Sequence, residues 1–198
     1  MSNTGTDKYF IFFEDIQRMT RISESDFDLF RENKDFFLKY AEALVNFIVE
    51  VLSQNPSTLR VFEEGRGDAD KLVASVSKWL LEVVDGHDTQ EFWQRHYLIG
   101  IQHIKRQIPN RQMMSLATRI REFVLPVMLS ELGPENGLAL FIAFQRFLDT
   151  VVALTATLVE VGQKRCLIES TGFSEKLIDN LQSMVFSRIS EELQFPEN

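Results

Sequence analysis

The sequence predicts an all-α fold, on three observations. Apolar residues recur three and four positions apart along nearly the whole chain, sustained apolar/polar alternation is almost absent, and cap or breaker residues separate the periodic stretches. The 198 residues suit one domain, or one domain with a helical extension, and 44% hydrophobic residues supply enough apolar material for a core.

The elements follow in order. Ser23 begins a Ser-x-x-Asp sequence with Asp26, a start signal of the capping-box type whose acid is one methylene shorter than the usual Glu. A helix follows through Phe27, Leu29 and Phe30. The next spans about Asp35 to Ser53, where Phe37, Tyr40, Ala41, Leu44, Phe47, Ile48, Val51 and Leu52 trace one stripe, and Asn55-Pro56 ends it. After a short turn carrying Leu59, Val61 and Phe62, the glycines of EEGRGDAD open a loop. Asp68 or Asp70 is placed to cap a helix carrying Leu72, Val73, Val76, Leu80 and Val83. Asp85-Gly86 stops that helix, and Thr89 caps another from Gln90 to about Gln107, with Phe92, Leu98, Ile99 and His103 among its apolar-side positions. Pro109 starts a helix through Met113, Met114, Leu116, Ile120 and Phe123 towards Leu132, with a kink expected at Pro126. GPENG then turns the chain into an apolar helix from Leu138 to Val161. A last helix follows Thr171-Gly172, its stripe formed by Phe173, Leu177, Ile178, Leu181, Met184, Val185 and Ile189.

The run from Leu138 to Val161 has nearly the length that spans a bilayer, but it contains Gln145, Arg146, Asp149 and Glu160. Charges near the centre of a spanning helix are costly, so no membrane is expected. The helix should instead be buried on several sides, in the core and against another subunit.

Composition excludes several classes. The 21 basic and 29 acidic residues give a net charge of -8 with no Lys/Arg-rich block, so nucleic acid is not an expected partner. The single cysteine, Cys166, excludes an intramolecular disulfide and a Cys-rich metal site and fits a reducing cytoplasm. MSNTGTDKYF lacks a basic segment followed by an apolar run, so no export signal is expected. GxSxG, GxxxxGK[ST], GxGxxG and HExxH are all missing. No catalytic residue is nominated, and the Asp and Glu pairs read as solvated charge on polar helix faces.

Three histidines remain. His87 sits in the DGHDT turn, while His96 and His103 are seven residues apart on one helix. That spacing puts both on the same face about 10 Å apart along the axis, too far to ligate one ion from the same side. A lone histidine is ordinarily a surface or hydrogen-bonded core residue. His103 stands out by its setting, IGIQHIKRQIPNRQMM, with the small Gly100 almost one turn before it and a proline turn after it.

FWQRHYLIGIQHIKRQIPNR resembles the proximal-helix segment of the globin-coupled sensors and protoglobins, where an Ile-Gly-x-x-His sequence supplies an iron ligand and a Pro soon opens the next helix. ISESDFDLF is similar to the family's first-helix start, LVNFIVEVLSQNP to its second helix, and SKWLLEVVDGHDTQEFW to the distal helix and its turn. FLDTVVALTATL is similar to the last globin helix, so the resemblance covers about Ile22 to Val161. It implies a globin-like helical fold with an additional C-terminal helix, and haem b wedged between the distal helix and the helix of His103, whose neutral imidazole holds the iron. The second imidazole nitrogen should donate to a carbonyl or similar acceptor that the sequence does not name. Phe47, Ile48, Leu72, Ser75, Val76 and Ile99 are the other pocket candidates. The 17 phenylalanines can line a flat apolar slot, although a Phe-rich stripe is more often plain core.

One departure concerns the distal side. Many family members carry a Phe-Tyr pair in the second helix whose phenol hydrogen-bonds oxygen, and this chain has Phe47-Ile48. Loss of that donor should weaken O2 binding relative to CO. Ser75 replaces part of it if its hydroxyl points inward; a helical serine more often bonds its own backbone or water. His96 is a second imidazole that would compete as a ligand only in a rearranged form.

The resemblance further implies a diatomic gas ligand, a homodimer through the last two globin helices, and a signalling partner or output domain. The expected organisation is an N-terminal extension over 1–21, the globin sensor domain over 22–165 and a C-terminal helical extension or linker over 166–198. Two other classes stay open: a haem-free globin-like module binding an apolar ligand, and a haem enzyme such as an NO dioxygenase or peroxidase. The enzyme needs distal acid-base groups, of which Ser75 is the one plausible polar member.

Overall fold

The computed structural model describes residues 12–56, 58–59 and 69–192. Among these the chain is helical and contains no strand. The helices are α1 (Phe13–Thr20), α2 (Glu24–Glu32), α3 (Lys34–Ser53), α4 (Ala69–Val84), α5 (Gln90–Lys105), α6 (Asn110–Thr171) and α7 (Glu175–Glu192). The expected turn at Val61 and Phe62, the EEGRGD loop and the cap candidate Asp68 lie outside the described residues. Asp70 falls within the first turn of α4 instead of preceding it. The chain divides into two compact units between Leu158 and Val159.

Local chemistry sets the boundaries of these helices. The backbone N–H of Ser23 donates to the Asp26 carboxylate at 2.9 Å, closing the capping box at the start of α2. Thr89 Oγ1 accepts from the Phe92 N–H at 3.2 Å and starts α5. Helix α6 is two arms, 110–132 and 134–171, because Gly133 alone departs from helical dihedrals, with φ 79° and ψ 168°. That left-handed conformation is cheap only for glycine. The turn expected at GPENG thus falls at its first residue, Gly133, whereas the backbone keeps helical dihedrals through Pro126, where a kink was expected. Helix α1 was not anticipated, since FEDIQRMT buries only Phe13 and carries too few apolar residues for a clear period.

In the first unit, α2 and α3 both pack on α4. The core is aromatic: Phe27, Phe30, Phe92, Trp93, Phe144 and Phe147 are essentially inaccessible to solvent. Phe147 is at its centre, with the rings of Phe27, Phe30, Trp79, Phe92, Trp93, His96 and Phe144 all at centroid distances of 5.5 to 6.5 Å. Most of these pairs meet edge-on or tilted, as their quadrupoles favour.

By length and composition α6 is apolar enough to cross a membrane, and 44% of its most apolar window is buried within the chain. Two of the charges in that run have partners. Arg146 pairs with Asp26 at 3.1 Å, and Asp149 pairs with Arg121 of the first arm. Asp26, 2% exposed, is thus a buried ion-pair partner as well as the cap that the sequence indicates. The hydroxyls of Thr20 and Thr150, 2.8 Å apart, join α1 to the same arm.

Phe147→Ala should lower stability by about 3–5 kcal/mol, because it removes the ring on which α2, α4, α5 and α6 converge and the surrounding rings close the cavity only in part. Urea denaturation followed by circular dichroism measures the loss.

Candidate functional site

Helix α5 carries both histidines of interest, and Gly100 determines how closely it approaches the second arm of α6. A Cβ at Gly100 would stand 2.9 Å from Leu158 Cδ1 and 3.2 Å from Thr155 Oγ1. Any larger residue would push the helix away. Gln107, with φ 56°, ends the helical backbone just beyond His103, and the Ile108 N–H donates back to the His103 carbonyl at 3.0 Å.

The two imidazoles sit in opposite situations. His96 is buried, stacked at 4.3 Å on Phe92, with its Nδ1 3.0 Å from the Phe92 carbonyl. A carbonyl only accepts, so Nδ1 carries the hydrogen and Nε2 is left with a lone pair. That lone pair accepts the indole N–H of Trp79 at 3.2 Å, joining α4 to α5. Both nitrogens of His96 are engaged.

His103 uses the same anchor but keeps its other nitrogen free. Its Nδ1–H donates to the Ile99 carbonyl at 2.9 Å, which identifies the acceptor that the sequence does not name. Its Nε2 has no hydrogen-bond partner among the described residues. Burial pushes both histidines below the usual imidazole range; the backbone carbonyls oppose this, while Arg95 beside His96 and Arg106 beside His103 add to it. The chain therefore offers one neutral, oriented imidazole with an available lone pair on the helix face that sequence spacing indicates. That donor fits a haem iron, whose axial histidine is held through its other ring nitrogen by an acceptor of this kind.

The other candidates are distributed as follows. Phe47 is half-buried and stacks on Phe123 of α6 at 4.9 Å, while Ile48 is buried in the core. Their helix α3 packs on α4, which places them beside the helix of Leu72 and Val76, both half-buried. Ser75 is exposed, so its hydroxyl does not point into the core as the distal-donor reading requires. Ile99 is half-buried and acts here through its carbonyl. His87 lies at the surface with Nδ1 2.8 Å from Glu24 Oε1. Desolvation pushes the Glu24 carboxyl up, but the Asp88 N–H, His87 and Arg31 together outweigh it and hold the pKa at about 2. No cluster of three metal-binding side chains occurs among the described residues.

Comparison with known families decides the class. A family model described as Protoglobin matches residues 13–164. The chain belongs to the protoglobin family. Protoglobins are globin domains that bind haem and gas ligands, and the match begins at α1, so that helix lies within it. The comparison with curated proteins found no match to this chain. Trp79 was the site residue that sequence reasoning missed; it stands in the quoted SKWLLEVV segment, but nothing in its spacing shows a partner 17 residues away.

Two predictions follow from the histidine pair. Trp79→Phe leaves His96 Nε2 buried without a donor and should cost about 1–3 kcal/mol, read from the urea midpoint. The second concerns pH. The folded pKa of His96 lies below the usual 6.5, so between the two values the unfolded chain binds more protons and stability rises with pH. The contribution of neutral His96 is fully present above about pH 6.5 and declines as pH falls towards the folded pKa. His96→Leu should flatten this dependence relative to wild type; an unchanged slope would contradict the assignment.

Proposed function

We propose that this protoglobin is a haem-based gas sensor domain in which His103 is the proximal ligand of haem b. The observation that carries the reading is the hydrogen bonding of the two imidazoles: His96 has no nitrogen to offer, and His103 presents an anchored Nε2. A bound haem would supply an iron centre able to take O2, CO or NO reversibly. The chain's own residues orient and shield it. The Ile99 carbonyl fixes the ring plane and tautomer of His103, and Phe47, Ile48, Leu72 and Val76 offer an apolar distal wall. With Ile48 in place of a phenol and Ser75 exposed, that wall lacks a hydrogen-bond donor, which favours CO over O2 compared with Tyr-bearing relatives.

Signal transmission runs through the contact at Gly100. A displacement of α5 at His103 presses directly on Thr155 and Leu158, because no side chain on Gly100 absorbs it. Leu138 and Ile142, four residues apart and exposed on the second arm of α6, support a homodimer through the two arms that would carry the shift to a partner or output domain. The domain binds and reports; we assign it no catalytic residue. The exposed free thiol of Cys166 suits a reducing cytoplasm.

Absorption spectroscopy tests this reading. Wild type expressed with haem should show an intense Soret band that shifts with CO, and His103→Ala should lose or strongly alter it, whereas His96→Leu should retain it. A wild type that takes up no haem would favour a haem-free module instead. Separately, Ile48→Tyr should restore a distal donor and raise O2 affinity relative to CO, measured from dissociation rates, at an overpacking cost of about 1–3 kcal/mol in stability.

A further inference from the structure

The second unit, residues 159–198, consists of the end of α6, a turn at Gly172 with φ 72°, and α7. Ser174 Oγ accepts from the Leu177 N–H at 3.3 Å, and Lys164 bridges Glu175 and Asp179, each at 2.8 Å, closing a helical hairpin. The hairpin buries little of its own apolar surface. Along α7, Leu177, Leu181, Met184, Val185, Phe186 and Ile189 are all exposed, and Ile178 alone is buried. At 3.6 residues per turn these positions cover roughly 200° of the helix circumference.

One neighbouring helix covers far less than that. The end of α6 adds Leu167 and the turn adds Phe173, which border with α7 an apolar groove of about 300 Å³ that remains open. A helix apolar over more than half its circumference needs two or three neighbours, as in a four-helix bundle. A hairpin already supplies two of the four helices.

We infer that the α6–α7 hairpin pairs with the hairpin of a second copy of this chain, completing a four-helix bundle. The area supports this occupant. The exposed part of these apolar side chains amounts to on the order of 700 Å² per chain, taking the larger side chains at 150–200 Å² each. A stable interface of standard size takes about 800 Å² from each partner. A two-fold contact uses the same patch twice, so one copy matches the other in extent and in apolar character. The polar side of α7, with Asp179, Asn180, Ser183 and Ser187, then faces water.

Hydrogen exchange of the full chain at a series of concentrations tests the pairing. The α7 amides should be protected at high concentration and lose that protection on dilution below the dimer's Kd. Leu177→Glu with Met184→Glu, both off the groove that α7 shares with α6, should abolish the protection at every concentration while far-UV circular dichroism keeps its helical signal. Protection that persists on dilution in a chain whose mass in solution has fallen to 23.0 kDa would mean that this same chain covers α7, and no protection at any concentration would mean a chemically different partner; either overturns the inference. Mass in solution reports on the α6-arm dimer independently: a doubly substituted chain that still runs at twice 23.0 kDa retains that contact, whatever happens to α7.

Discussion

The bond from the Trp79 indole to His96 Nε2 is the constraint that gives the site its meaning. Two imidazoles seven residues apart on one helix face are nearly equivalent by spacing. Both also use Nδ1–H to bond the carbonyl four residues earlier. What separates them is the fate of the second nitrogen. At His96 it is consumed inside the aromatic core, where an unpaired polar atom would be expensive. At His103, two turns along, it is left available. The same bond joins α4 to α5, so the partition of roles between the histidines and the packing of the two helices that flank the proposed pocket depend on one contact.

The aromatic core makes that partition stable. Phe147 touches His96 as well as the phenylalanines of α2 and α5, so α5 is held at its N-terminal half by ring packing and near its middle by the tight approach of Gly100 to Thr155 and Leu158. The backbone leaves the helix soon after His103. His103, the proposed ligand, therefore sits beyond the tight approach at Gly100 and close to the end of its helix.

Much of this was legible in the sequence, for physical reasons that also mark its limits. Ser23, Thr89 and Gly172 announce helix ends because capping and left-handed backbone are local chemistry, decided within a few residues. The Ile-Gly-x-x-His segment could be read as a family feature because its residues are contiguous. What was not legible depends on distant partners. Asp26 reads as an ordinary helix-start acid, and its burial against Arg146 spans 120 residues of chain. Pro126 looked like a point of kinking since it lacks an N–H, yet helical dihedrals run through it, and the one departure in this helix is at Gly133, in the GPENG turn that the sequence did announce. The exposure of Ser75 and the engagement of His96 were likewise beyond any period in the residues, because each turns on which neighbour a helix face meets.

The central claim is that His103 Nε2, without a hydrogen-bond partner among the described residues, is the nitrogen that would hold a haem iron. Histidine-selective 15N NMR of the whole protein, before and after loading with haem in its diamagnetic CO-bound form, addresses it most directly. The account predicts Nδ1–H tautomers at both His96 and His103 without haem, and on loading a large change at His103 Nε2 with the His96 pattern retained. A His103 resonance that stays in place, or a change confined to His96, would contradict it.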